Sequence, residues 1–272
     1  MSLQNKTIVF IGAGNMGEAL IRGLLAGRTV VPSQIIAADV RAERRDFLLK
    51  TLGVRAIDDN LSAVKVADIV VLAVKPQQVG EVLAGLKSAM SKEKLVISIA
   101  AGVTTARIER ELGAGTRVMR VMPNTPALVG AGAAGVAKGA HATDDDLVTA
   151  ESILGSVGIC VRVEERFIDA VTALSGSGPA YVFCVIEAMI NAGVAVGLDE
   201  ALAKKLAIQT VYGAAKLLVE SGEEPGALRR RVTSPGGTTE AALKVMTQRK
   251  LAEIFAEAMR AAEKRSRELS GS

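Results

Sequence analysis

Lys6-Thr7-Ile8-Val9-Phe10-Ile11-Gly12-Ala13-Gly14-Asn15-Met16-Gly17 decides how the rest of the chain is read. An apolar run that stops at a turn is a strand buried on both faces. Gly12, Gly14 and Gly17 then form G-x-G-x-x-G, and Glu18-Ala19-Leu20-Ile21 opens a helical pattern. Each glycine has its own task. The first permits the tight turn, the second lets a pyrophosphate approach the backbone, and the third lets helix and strand pack closely. The helix start adds unpaired N–H groups and a partial positive charge. Strand, glycine turn and helix in that order point to a dinucleotide site. The glycines alone would mark only a tight strand–helix turn.

Working outward, the apolar patterning predicts further strands over residues 34–38, 68–74, 94–99 and 116–121, and two more at 133–137 and 159–163. Helices lie between them. One covers residues 42–52 with Gly53 as its C-cap, one follows an Asp59-Asn60 N-cap, and one starts at Thr104 or Thr105. Thr143 caps another, whose first turn is Asp144-Asp145-Asp146, as the helix dipole favours. Strands alternating with helices define an α/β unit.

Residues just past the carboxyl end of a parallel strand face the ligand crevice, which makes Asp39, Val74 and Lys75 candidates. Asp39 lies roughly 20 residues beyond Gly17, where a carboxylate hydrogen-bonds the ribose hydroxyls of NAD. Arg41, Arg44 and Arg45 follow at once and suit the 2′-phosphate of NADP, so the two signals oppose each other. A solvated helix face would explain the arginines equally well, and Lys75 could simply decorate the rim. The small residues Ala100-Ala101-Gly102-Val103 would let a flat nicotinamide ring lie against the backbone. In the rigid Met122-Pro123-Asn124-Thr125-Pro126 loop, Asn124 either faces the cofactor or holds the turn through its side chain.

From Phe167 onward the strand pattern is gone and the helical period dominates. The expected division is therefore residues 1–164 as a dinucleotide-binding domain and 165–272 as an all-helical domain. The chain of 272 residues is 49% hydrophobic but only 3% aromatic, with no Trp, so its core is aliphatic and base stacking on aromatic platforms is disfavoured. Net charge is +4. The one dense basic cluster, Arg229-Arg230-Arg231, reads as a solvated helix end rather than a nucleic-acid patch. Cys160 and Cys184 lack C-x-x-C spacing and read as reduced thiols, and with a single histidine, His141, no metal site can be assembled. No basic segment with an apolar stretch and cleavage site opens the sequence, so a cytoplasmic enzyme is expected. The apolar stretch 180–198 carries Glu187 and Asn191 and reads as a helix in a domain or subunit core rather than in a membrane.

Two glycine-rich helix starts stand out in the second half. Leu174-Ser175-Gly176-Ser177-Gly178-Pro179 opens the apolar helix and suits close approach of a facing helix or a ligand. Ser234-Pro235-Gly236-Gly237-Thr238-Thr239 gathers hydroxyls and backbone N–H groups at a helix N-terminus, an arrangement suited to a small carboxylate. A capped turn would account for one threonine but not the whole run.

Together these stretches resemble the pyrroline-5-carboxylate reductase family. The matches are residues 11–17, Val74-Lys75-Pro76, Ala100-Ala101-Gly102-Val103, Met122-Pro123-Asn124-Thr125-Pro126, residues 169–181 and residues 234–239. The resemblance implies an N-terminal Rossmann domain and an all-α dimerisation domain. It also implies homodimers whose C-terminal helices complete each other's sites, often in larger homo-oligomers. The activity implied is NAD(P)H-dependent reduction of 1-pyrroline-5-carboxylate to L-proline, with no nucleic-acid or membrane partner. The same resemblance places Ile11, Gly12, Ala13, Gly14, Asn15, Met16, Asn60, Val74, Lys75, Ala100 and Ala101 at the cofactor, with Asp39 and Arg41 near the adenosine ribose. Ser234, Gly237, Thr238 and Thr239 would hold the substrate carboxylate, Thr239 would face the ring nitrogen, and Glu165 matches a substrate-side acidic position. Asp39 departs from the small polar residue of NADP-preferring members, so NADH is expected to serve at least as well as NADPH. A β-hydroxyacid dehydrogenase shares the plan but needs a lysine on the helix after the boundary, and residues 177–190 contain none. A non-catalytic dinucleotide sensor would share only the cofactor site.

Overall fold

The computed structural model describes residues 3–271. Among these, residues 3–177 and 262–271 pack as one compact unit and residues 178–261 as another.

The first unit runs β1 (Ile8–Ile11), α1 (Asn15–Ala26), β2 (Ile35–Ala38), α2 (Ala42–Leu52), β3 (Arg55–Ile57), α3 (Asn60–Lys65), β4 (Ile69–Leu72) and α4 (Val79–Leu86). It continues with β5 (Leu95–Ser98), α5 (Thr105–Leu112), β6 (Arg117–Met122), β7 (Gly132–Lys138), α6 (Asp144–Leu154), β8 (Gly158–Arg162) and α7 (Ile168–Val171). A π-helical turn at Thr172–Gly176 follows. The eight strands form one sheet in the order β3-β2-β1-β4-β5-β6-β7-β8. Pairing is parallel except at β6 with β7.

Alternation along β1 explains the two-layer core. Ile8 and Phe10 point into one apolar cluster with Leu20, Ile21 and Leu24 of α1. Val9 and Ile11 point into the other with Leu83 of α4 and Ile108 of α5. Both faces are covered by helices, which is why β1, β2, β4 and β5 are buried at every position. The helix ends follow the local rules. Asp59 accepts the N–H groups of Leu61 and Ser62, Thr104 accepts that of Arg107, and Thr143 with Asp146 forms a capping box. The three-residue β3 is the strand that patterning does not reveal, because it is short and only partly buried.

The second unit consists of α8 (Gly178–Ala195), α9 (Glu200–Ser221), α10 (Pro225–Arg231), α11 (Thr238–Gln248) and the start of α12 (Leu251–Ser270). Helices α8 and α9 pack on each other, with Ala203 and Ala207 buried. No residue of α8 is buried within the chain. A core position for this apolar helix is thus not supplied by the chain's own fold. The stretch Glu165–Ala195 is long and apolar enough, by length and composition, to cross a membrane.

Candidate active site

The sheet order reverses beside β1, since the chain goes to β2 and β3 on one side and then crosses to β4 on the other. Ligands of open α/β sheets bind in the crevice outside the strand ends at such a point. A cleft of about 700 Å³ opens there. Its lining includes Gly12, Gly14, Asn15, Met16, Asp39, Arg41, Asn60, Val74, Lys75 and Ala101, all anticipated from the sequence. It also includes Met122 and Pro123 of the rigid loop, to which the sequence assigns no cofactor role, and Gln78 and Val82, which carried no signal of their own.

The glycine tasks are visible as distances. A Cβ on Gly12 would stand 2.8 Å from Val74 Cγ1 and 2.9 Å from the Ala73 carbonyl, and Gly12 has φ +84°. A Cβ on Gly17 would stand 2.9 Å from the Gly12 carbonyl, whereas one on Gly14 would meet nothing within 4 Å. Gly14 therefore faces open cleft. It is also the N-cap of α1, without a side-chain cap. The first intrahelical bond runs from Glu18 N–H to the Gly14 carbonyl, so the N–H groups of Asn15, Met16 and Gly17 have no helical acceptor. An open floor with unpaired donors at a positive helix end fits the pyrophosphate of a dinucleotide.

At the other end of the cleft, Asp39 is 8% exposed. Its carboxylate accepts four hydrogen bonds, from Ala13 N–H (3.1 Å) and from Arg41 N–H (3.0 Å), Nε (3.0 Å) and Nη2 (3.1 Å). Burial by itself would raise the Asp39 pKa. The Arg41 guanidinium and the Arg41 and Ala13 N–H groups outweigh it and hold the carboxyl below its ordinary value. Arg41, with its side chain 58% exposed, is thus displayed on the cleft wall as the outer half of an ion pair. Arg44 is turned inward instead. Its Nε donates to the Ala13 carbonyl at 2.5 Å, and its Nη2 pairs with Glu18. Arg45 donates to the Asp39 and Val40 carbonyls and pairs with Asp58 at 3.5 Å. Of the three arginines only Arg41 lines the cleft. The opposed sequence signals, carboxylate and guanidinium, are one interaction.

Other anticipated residues sit behind the cleft. Ile11, Ala13 and Ala100 are buried beneath it. Asn124 takes up the turn-holding role: its Oδ1 accepts from Ala133 N–H at 2.8 Å and its Nδ2 donates to the Ser175 carbonyl at 3.2 Å. Glu165 lies outside the cleft, accepting from Thr105 N–H (2.8 Å) and Thr105 Oγ1 (2.5 Å) and facing Arg120 Nη1 at 3.3 Å.

In the second unit, Gly237 is the N-cap of α11 and no side chain caps it, so neither Thr238 nor Thr239 performs that task. The two glycine N–H groups are committed within the loop. Gly237 donates to the Ser234 carbonyl at 3.0 Å and Gly236 to Glu240 Oε2 at 2.7 Å. The sequence reading has Gly237 among the residues that hold an anion here, whereas in the structure both glycine N–H groups already have acceptors within the loop. The donors left by the helix are the N–H groups of Thr238, Thr239 and Glu240, since the first intrahelical bond is Ala241 N–H to the Gly237 carbonyl.

A Rossmann unit with a dinucleotide cleft, joined to a helical unit, defines an NAD(P)-dependent oxidoreductase. The models of two families match the chain: "NADP oxidoreductase coenzyme F420-dependent" over residues 7–102, and "Pyrroline-5-carboxylate reductase dimerisation" over residues 165–269. A pyrroline-5-carboxylate reductase of Methanosarcina acetivorans is 47% identical over 267 residues, covering 98% of this chain and 99% of that one. The structure of a pyrroline-5-carboxylate reductase from Coxiella burnetii is 42% identical, with TM-score 0.94, over 98% of this chain and 99% of that one. The Plasmodium falciparum pyrroline carboxylate reductase with NADP bound is 31% identical, with TM-score 0.86 and the same two coverages. The chain belongs to the pyrroline-5-carboxylate reductase family, enzymes that reduce 1-pyrroline-5-carboxylate to proline with NAD(P)H. Its helical part is a dimerisation domain.

Proposed function

We propose that the chain reduces 1-pyrroline-5-carboxylate to L-proline, holding NAD(P)H in the cleft at Gly12–Gly17 and the substrate carboxylate at residues 234–239. The observation that carries the reading is end-to-end similarity to reductases of that name, 47% identical over 98% of the chain. On this reading residues 1–164 serve the cofactor, residues 165–272 serve the substrate and the homodimer, larger assemblies form from dimers, and the enzyme is cytoplasmic.

The N–H groups at the start of α1 hold the pyrophosphate. Asp39 and Arg41 flank the adenosine ribose, with Asn60 beside them. Val74, Lys75 and Ala101 line the path toward the nicotinamide, over a floor of Ile11, Ala13 and Ala100. Thr238 and Thr239 offer N–H groups and hydroxyls to the substrate carboxylate, with Ser234 and Gly237 shaping the loop. Thr239 Oγ1 hydrogen-bonds the ring nitrogen. The reduced dinucleotide, when bound, supplies the hydride. A protonated cyclic imine is already electrophilic, so the protein's tasks are orientation, carboxylate binding and exclusion of water. A chain whose one histidine, His141, lies exposed in a loop is compatible with such chemistry.

The test is the absorbance of the nicotinamide band with NADH or NADPH and 1-pyrroline-5-carboxylate. Oxidation tied to proline formation is expected. No oxidation with either cofactor would sink the proposal and leave a dinucleotide-binding protein without this reaction.

A further inference from the structure

The last stretch of α12, residues 262–270, packs with the dinucleotide-binding unit yet contributes no lining residue to the cleft. Its Ser266 meets a charge cluster built on the buried Asp169 and Arg120 together with the partly exposed Glu165, none of which lines the dinucleotide cleft. Ser266 Oγ donates to Asp169 Oδ1 at 2.6 Å, and both residues are 6% exposed. Arg120, 4% exposed, stands between two carboxylates, with Nη2 3.8 Å from Asp169 and Nη1 3.3 Å from Glu165. Glu165 in turn holds Thr105 by its N–H and hydroxyl, at the first turn of α5.

The cluster is attached to both loops at one end of the cleft. Arg120 is on β6, just before Met122 and Pro123, which line it. Thr105 follows the crest that begins with Ala101, another lining residue. The same helix end touches that crest directly: a Cβ on Gly102, which has φ +71°, would stand 3.2 Å from the Leu269 carbonyl. We propose that the end of α12 is a strut that positions the nicotinamide end of the cleft, with Ser266 and Asp169 as its positioning residues. This rests on reading the Ala101–Met122 end as the nicotinamide end, as the sheet order and the adenosine-side carboxylate Asp39 imply.

One buried cation, Arg120, serves both the buried Asp169 and the partly exposed Glu165, and the close donor to Asp169 is the Ser266 hydroxyl. Without it the readiest compensation is for Arg120 to close its 3.8 Å gap to Asp169, leaving Glu165 and drawing the end of β6 with it. Displacement by about an ångström can cost on the order of 100-fold in a reaction that depends on orientation.

The experiment compares wild type, Ser266→Ala, Ser266→Thr and Asp169→Asn in the full-length assembly. Turnover, NADPH dissociation constant, thermal midpoint and fluorescence of bound NADPH are measured for each. Ser266→Ala and Asp169→Asn are expected to lower kcat about tenfold or more, with the dissociation constant within about twofold. Ser266→Thr, which keeps the hydroxyl, should recover most of the loss, and the emission of bound NADPH should change in the alanine variant. An unchanged kcat and emission in folded Ser266→Ala overturns the proposal. So does a loss of kcat that tracks loss of folded protein and is not recovered by threonine. If wild type fails to turn over pyrroline-5-carboxylate, the functional reading has failed instead. The strut is then judged by the emission and affinity of bound NADPH alone.

Discussion

Replacing Asp39 by serine probes how the cleft chooses between NADH and NADPH. In the wild type a buried carboxylate holds Ala13 N–H and both arms of Arg41. A carboxylate offers about four acceptor sites, and all are taken, so ribose hydroxyls must displace part of the Arg41 fork. A 2′-phosphate brought to the same place meets the Asp39 anion, which Arg41 offsets only while the pair stays closed. Serine removes the anion and frees Arg41 to pair with the phosphate. A hydrogen bond to a charged group contributes about 1.5–3 kcal/mol, or roughly 10- to 150-fold in a specificity constant. The ratio of kcat/KM for NADPH to that for NADH should therefore rise by about 10- to 150-fold. Ala13 N–H loses an acceptor in the same variant, which costs about 1–3 kcal/mol of stability. The ratio is insensitive to that loss because both cofactors are measured on the same folded enzyme. Steady-state kinetics with each dinucleotide, and fluorescence titration of binding, provide the two readings. A ratio that stays level or falls would refute the reasoning and leave Asp39 as a brace for the glycine turn.

Three further outcomes can be checked. Thr239→Val should lower kcat about tenfold or more while the NADPH dissociation constant stays within about twofold; unchanged kinetics would remove this hydroxyl from the mechanism. Gly12→Val places a Cβ 2.8 Å from Val74 Cγ1 at φ +84°. It should cost about 1–3 kcal/mol in thermal unfolding and abolish dinucleotide binding, and near-normal affinity would contradict the close-approach account. Burial pushes the Cys160 thiol up to about 11. With Cys184→Ser as background, its alkylation at neutral pH should run on the order of 100-fold slower than that of a free thiol and accelerate as pH rises; rapid labelling at neutral pH would show the site to be open.

The dinucleotide half was legible because its signals are local. Apolar runs, Gly12, Gly14, Gly17, the Asp59 and Thr143 caps and the strand-end residues each act within a few positions of themselves. The cleft accordingly gathers most of the residues that sequence reasoning singled out. The role of Asn124 is not legible locally, because nothing near it in sequence says that its amide meets Ala133 N–H and the Ser175 carbonyl. Residues 234–239 read as a helix start suited to an anion, but the loop's own hydrogen bonds decide which N–H groups remain.

The α/β pattern, the glycine turn, the helical second half and the family are all written in residue order and periodicity. Tertiary structure decided how charges distant in sequence share one another. Folding set the Arg41 fork around a buried Asp39, turned Arg44 toward Glu18, and placed Arg120 between Glu165 and Asp169 with Ser266 from the far end of the chain. The physical reason is that burial makes a carboxylate's partners decisive for its charge. Those partners come from whichever elements the sheet order brings together, and no periodicity along the chain encodes that.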